Sequence, residues 1–196
     1  MCGITGFVDF GKKTTASVLK EMTDAMYHRG PDDAGHEVYN AAQYDLGFGQ
    51  RRLSILDLSP LGHQPMHFKN YTVNFNGEIY NFKEIRKELE QKGYSFNSWS
   101  DTEVILKAYD CWGMDMLRHF IGMYAIALYD KDKDNLILVR DRAGVKPLYY
   151  SWQNDLLLFG SELKALYKHP SFKKEIDVNS LALFLQYSYI PGQHSI

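Results

Sequence analysis

Two-residue hydrophobic alternation comes in two blocks along this chain, one on each side of a pair of helical repeats, and that order restricts the fold more than any single motif. The first block opens with GITGFVDF at 3–10, closed by Gly11-Lys12-Lys13. Val18, Leu19, Met22 and Met26 then fall at helical spacing within 14–27, and residues 28–33 carry a Pro-Asp turn signal. Strand-like pieces follow at 36–39, 43–50 and 53–56, then a loop over 57–66 and a strand over 71–75. Asn81-Phe82-Lys83-Glu84 and Ser100-Asp101-Thr102-Glu103 both have capping-box spacing, so each is expected to open a helix. After a short helical stretch at 114–120, the second block places strands at 122–129, 136–141, 148–152 and 156–159, the first two joined as a hairpin through 130–134. Short helices are expected at 162–167 and 178–186. This order lacks the regular strand-helix alternation of a doubly wound sheet, so a layered α+β architecture is expected.

Composition narrows the function classes. With 196 residues, 45% of them hydrophobic, the chain is large enough for one sizeable domain. Twenty-two Lys and Arg stand against 24 Asp and Glu with the signs interspersed, and the absence of a basic stripe argues against nucleic acid as a partner. The longest apolar runs, IGMYAIALY and LLLF, are far too short to span a membrane, and the first residues lack the regions of a signal peptide, so a cytoplasmic protein with no membrane partner is expected. Two widely separated cysteines, Cys2 and Cys111, make no disulfide framework, in keeping with a reducing compartment.

The opening MCGITGF raises a chemical reading. Once Met1 is clipped off, Cys2 carries a thiol nucleophile and a free α-amine base on one residue. A thiolate adding to an amide carbon creates an oxyanion that needs preorganised donors, commonly a side-chain amide and a backbone N–H. Asn76-Gly77, at the end of the expected strand, offers both. The competing reading is a type I′ hairpin, but a helix cap at 81–84 leaves little room for the second strand. Gly3 is expected to leave room beside the thiol for an incoming amide. Recognition of a free amino acid needs an arginine for its carboxylate and an acid for its ammonium, and Arg51, Arg52, Glu78 and Asp101 are the candidates. Composition does not separate them from solvated charges. Cys111 lies near the end of a helical pattern without a nucleophile elbow and reads as a small core residue. In HQPMH the proline argues against a helix presenting His63 and His67 to one metal ion, so no metal site is expected, and no phosphate-binding glycine motif is present.

Seven stretches in order resemble one family closely: MCGITGF, HRGPDD at 28–33, RLSILDLS at 52–59, NGEIYNF at 76–82, SDTEVIL at 100–106, RDRAGVKPLYY at 140–150 and GSELKAL at 160–166. Together they are similar to the amidotransferase domain of glutamine-hydrolysing asparagine synthetases, a class II N-terminal-nucleophile glutaminase. That resemblance implies a four-layer αββα fold, two stacked antiparallel sheets flanked by helices, over residues 1–170. It implies that 171–196 hold a C-terminal helix and the start of a linker toward a synthetase domain outside this sequence. The implied roles are Cys2 as nucleophile, with its α-amine as base, and Asn76 and Gly77 as the oxyanion hole. Arg52 would hold the α-carboxylate of L-glutamine, with Leu53, Ile55 and Leu56 offering backbone contacts, while Glu78 and Asp101 would accept from its ammonium. No cofactor is implied within this domain; ATP and Mg belong to the synthetase domain. The implied partners are L-glutamine, that domain and, in a homodimer, a second copy. Gln50 and Gln193 depart from the pattern, Gln50 standing where histidine often precedes the arginine pair and Gln193 where proline is frequent. The alternative is a catalytically silent glutamine-sensing or interaction domain of the same fold.

Overall fold

The computed structural model describes residues 1–191. In chain order its main elements are β1 (Gly3–Asp9), α1 (Ala16–Asp24), β2 (Asp33–Asn40), β3 (Asp45–Arg52), β4 (Met66–Phe68), β5 (Tyr71–Ile79), α2 (Phe82–Gln91), α3 (Asp101–Trp112), α4 (Met116–His119), β6 (Gly122–Asp130), β7 (Asn135–Arg140), β8 (Tyr149–Gln153), β9 (Leu156–Gly160), α5 (Leu163–Leu166) and α6 (Val178–Tyr187). Two antiparallel sheets result, one in the order β2-β3-β1-β9-β8 and the other β4-β5-β6-β7.

Strand alternation sorts the apolar residues into three layers. Ile4 and Val8 point from β1 into the space between the sheets, where they meet Leu46, Phe48, Ala125, Ala127 and Phe159. Phe7 points the other way and packs with Leu19, Met22 and Met26 near α1 and with Leu166 of α5. On the second sheet Val73, Phe75, Ile126 and Leu128 face Ile85, Leu89 and Ile105 of α2 and α3. The chain therefore forms the four layers expected, helices, sheet, sheet, helices. The central strand β1 is buried along its whole length because both of its faces and both of its edges are covered.

Several local expectations change. Residues 53–56 do not form a strand, and Ile55 is exposed. The cause is register: Gly3, the first residue of β1, is opposite Arg51, so beyond Arg52 no strand remains for the chain to pair with. Strand β4 lies at the end of the segment expected to be a loop, and β5 runs four residues past the expected 71–75, because β6 pairs with all nine of its residues. The two capping boxes also diverge. Ser100 caps α3 by accepting from the Thr102 N–H at 3.1 Å, whereas the Glu103 carboxylate turns to the N–H groups of Asn97 and Ser98 at 3.0 and 2.7 Å. Asn81 does not cap α2 with its side chain. It donates to the His119 carbonyl and accepts from the Ile121 N–H, both at 2.9 Å, fastening the helix to the start of β6. The hairpin through 130–134 forms as expected, with Asp134 at φ 50°. The end of the chain at 192–196, with Gln193, lies outside the described residues.

Candidate active site

Cys2 stands one residue ahead of β1, at the rim of the space between the sheets. Its thiol lies 3.6 Å from the Leu53 carbonyl, to which it donates, and the Leu53 N–H donates back to sulfur at 3.4 Å. The segment that leaves β3 unpaired thus wraps over the nucleophile. Gly3 is closely packed on the side away from the strand. A Cβ there would face Met26 Sδ at 3.0 Å and Arg29 Cδ at 3.1 Å, so the glycine admits the Met26 and Arg29 side chains. Arg29 in turn donates from Nε to the Cys2 carbonyl at 2.8 Å.

Asn76 and Gly77 sit within β5, opposite Ala125 and Tyr124, and not at the strand's end. The pairing explains how Gly77 still offers a free donor. The backbone of Tyr124 bonds Asp141 on its other side, and the Tyr80 N–H bonds the Ile121 carbonyl, so even-numbered amides of β5 face β6 and odd-numbered ones face the opposite edge. On that edge β4 covers only residues 71–73. Beyond it the Phe75 N–H donates to Gln64 Oε1 at 2.7 Å and the Ile79 N–H to Asp101 Oδ2 at 3.0 Å. Between them the Gly77 N–H has no partner among the described residues and points into the cleft. Only glycine fits here, because a Cβ would lie 2.2 Å from the Met123 carbonyl oxygen. Asn76 is fully buried and donates from Nδ2 to Ser161 Oγ at 3.4 Å.

The charged groups separate cleanly. Arg51 pairs with Asp24 and stacks over Tyr27, away from the cleft. Arg52 is buried and is held by the carbonyls of Ser59 and Asp57, with its guanidinium packed on Gly62, where any Cβ would collide with it. These two bonds leave further guanidinium N–H groups for a ligand. The Asp57 carboxylate accepts from the N–H groups of Ser59 and Trp99 at 2.8 and 3.0 Å, and its bonds to Ser59 hold it below the usual carboxylate range. Asp101 is the first residue of α3 and is 5% exposed. Burial, with the nearby Glu78 charge adding to it, pushes its carboxyl up to about 6, against the Ile79 N–H that favours the ionised form. The Glu78 side chain makes no hydrogen bond or ion pair among the described residues, which leaves its carboxylate open to a cation.

All nine residues expected from the sequence, Cys2, Arg52, Leu53, Ile55, Leu56, Asn76, Gly77, Glu78 and Asp101, line one cleft of about 180 Å³. Gln64, Asp57, Gly62, Met123 and Lys146 line it too and were not anticipated. Gln64, within HQPMH, is buried and bridges Thr102 Oγ1 at 3.2 Å and the Phe75 N–H. His63 and His67 pair separately with Asp33 and Glu37 of β2, and no group of three metal-ligating side chains occurs among the described residues. Cys111, near the end of α3, packs partly buried against the core, as expected.

A putative glutamine-hydrolysing asparagine synthetase 2 of Methanocaldococcus jannaschii is 38% identical over 214 residues, covering 100% of this chain and 41% of that protein. Glutamine-hydrolysing asparagine synthetase 3 of Bacillus subtilis is 41% identical over 188 residues, covering 93% of this chain and 30% of its own length. The chain thus spans less than half the length of these relatives. Among solved structures, the glutamine phosphoribosylpyrophosphate amidotransferase of B. subtilis superposes with a TM-score of 0.69 at 20% identity, over 85% of this chain and 43% of that one, a likeness of fold. The family model described as "Glutamine amidotransferase domain" matches residues 1–196, and with the relatives it places this chain in that family: it is a glutamine amidotransferase domain.

Proposed function

We propose that this chain hydrolyses L-glutamine to glutamate and ammonia through a Cys2 thioester, with the cleft residues in the roles their positions suit. The observation that carries this reading is the opposition, across one cleft, of the Cys2 thiol on the first sheet and the Asn76-Gly77 donors on the second. Arg52 takes the α-carboxylate, Glu78 and Asp101 take the α-ammonium, and the backbone of Leu53, Ile55 and Leu56 closes over the substrate. The thiol proton passes to the Cys2 α-amine as sulfur bonds to the side-chain amide carbon. The oxyanion so formed is met by Asn76 Nδ2 and the Gly77 N–H. The amine returns the proton to the departing nitrogen, ammonia leaves, and a γ-glutamyl thioester remains. Water then adds to the thioester carbon and glutamate is released with the thiol restored.

The base requires that Met1 be absent, because an acylated nitrogen cannot accept the proton. Met1 lines the cleft, where its sulfur accepts from Lys146 Nζ at 3.2 Å, so its removal also enlarges the substrate's space. In this reading the ammonia serves a synthetase domain that holds ATP and Mg and makes asparagine from aspartate, as the names of the relatives suggest. The glutaminase chemistry itself needs no cofactor. L-Glutamine, that domain and a second copy in a homodimer are the partners. A nucleophile, both oxyanion donors and both charged clamps weigh against a silent sensing domain. Cys2→Ala is expected to abolish glutamate release while glutamine binding by calorimetry persists; continued release at the wild-type rate would overturn the nucleophile assignment.

A further inference from the structure

The oxyanion amide of Asn76 and the strand that carries Cys2 belong to different sheets, so something must hold them in register. We infer that Ser161, at the corner between β9 and α5, is the positioning residue that sets the Asn76 amide against the nucleophile. The inference rests on the glutaminase reading above.

Ser161 is 1% exposed, and its backbone N–H donates to the Ile4 carbonyl at 2.8 Å. Its hydroxyl oxygen accepts from the Ile4 N–H at 3.1 Å and from Asn76 Nδ2 at 3.4 Å. One side chain therefore grips the second residue after Cys2 and the amide across the intersheet space. Asn76 has two N–H groups on Nδ2. Giving one to Ser161 fixes the amide's rotation and leaves the second free for the oxyanion, with nitrogen and not oxygen toward the serine. The next residue extends the grip. The Glu162 carboxylate accepts from Arg29 Nη1 at 3.0 Å, and Arg29 Nε bonds the Cys2 carbonyl. The corner at 161–162 thus indexes both the nucleophile and the donor that serves it. Ser161 is 85 residues from Asn76 and does not itself line the cleft, so its effect runs through Asn76.

The test compares wild type, Ser161→Ala, Asn76→Ala and the double variant for glutamine turnover and for alkylation of Cys2 by iodoacetamide, a displacement that develops no oxyanion. Loss of an oxyanion donor costs about 10²–10³-fold in kcat, and misorientation of that donor is expected to cost on the order of tenfold. Ser161→Ala should lower kcat by that factor, with KM within about twofold and the alkylation rate unchanged, and the double variant should be no slower than Asn76→Ala. Ser161→Cys, which fills the same space with a weak acceptor, should show the same split if alanine leaves too large a void. Unchanged kcat in either variant overturns the inference, as do losses that multiply in the double variant or alkylation slowing in step with kcat. An active wild type indifferent to Ser161 sinks this assignment alone and leaves the glutaminase reading standing.

Discussion

Asp101 shows how a single residue's role is divided between sequence and environment. An acidic residue after Ser100 is an ordinary first-turn partner of the helix dipole, and its sequence neighbours say nothing about a raised pKa. Burial at the foot of the cleft and the Glu78 charge raise it to about 6, so in the proposed glutaminase Asp101 would hold the substrate ammonium better above that pH than below it. Because the ionised form is the one that attracts the ammonium, glutamine affinity should fall as pH drops through about 6. Calorimetric titration of Cys2→Ala with glutamine between pH 5 and 8 checks this, and Asp101→Asn should bind weakly and flatten the profile. An unaltered pH dependence in Asp101→Asn would remove Asp101 from the clamp. Arg52 is legible only as one of two candidate carboxylate forks, and its anchoring on the carbonyls of Ser59 and Asp57 is not legible at all, since backbone partners leave no compositional trace. The contacts that a Cβ at Gly3 would make with Met26 and Arg29 are likewise visible only in the tertiary packing.

At the level of elements, the decisive feature is the short reach of β4 along β5. Had β4 continued past residue 73, the Gly77 N–H would be spent in a ladder. Instead the edge is finished by side chains, Gln64 on one side of Gly77 and Asp101 on the other. Asn-Gly within a strand runs against its usual turn preference, and the pairing of β6 along all of β5 overrides that local tendency. Gly77→Ala should therefore destabilise the β5-β6 pair by roughly 1–3 kcal/mol, since the new methyl must push the Met123 backbone away. Urea unfolding measures this, and a variant as stable as wild type would show that β6 can shift without cost. The paired capping boxes carry the complementary lesson. Both marked helix starts correctly, yet only Ser100 caps with its side chain, because Asn81 finds partners at His119 and Ile121 that lie far along the chain.

For the molecule as a whole, buried carboxylates fasten loops to the layers. Asp9 accepts from the N–H groups of Gly11, Lys13 and Thr14 and from the Thr14 hydroxyl; Asp141 accepts from those of Tyr124, Val145 and Lys146. Burial alone would raise both carboxyls, but these donors outweigh it and hold them below their ordinary range, as Lys107 and Ser98 do for Glu103. A folded-state pKa below the unfolded one adds stability above the unfolded value, and that stability is lost as pH falls through the folded value. The melting temperature should thus drop steeply below about pH 4, with Asp141→Asn melting lower than wild type at neutral pH and losing less on acidification; parallel pH curves for the two would sink the assignment. The layered α+β class, the helix starts, the β6-β7 hairpin and nine of the cleft residues were readable from the chain, because hydrophobic period and ordered motifs are local properties, whereas Gln64, Asp57, Gly62, Met123 and Lys146 of the cleft were not. The end of β3 at Arg52, the free amide of Gly77, the raised Asp101 carboxyl and the grip of Ser161 on Asn76 were decided only by the tertiary structure. Each depends on which strand runs out opposite which, and on contacts between residues brought together by two stacked sheets, for which linear order carries no periodic signal.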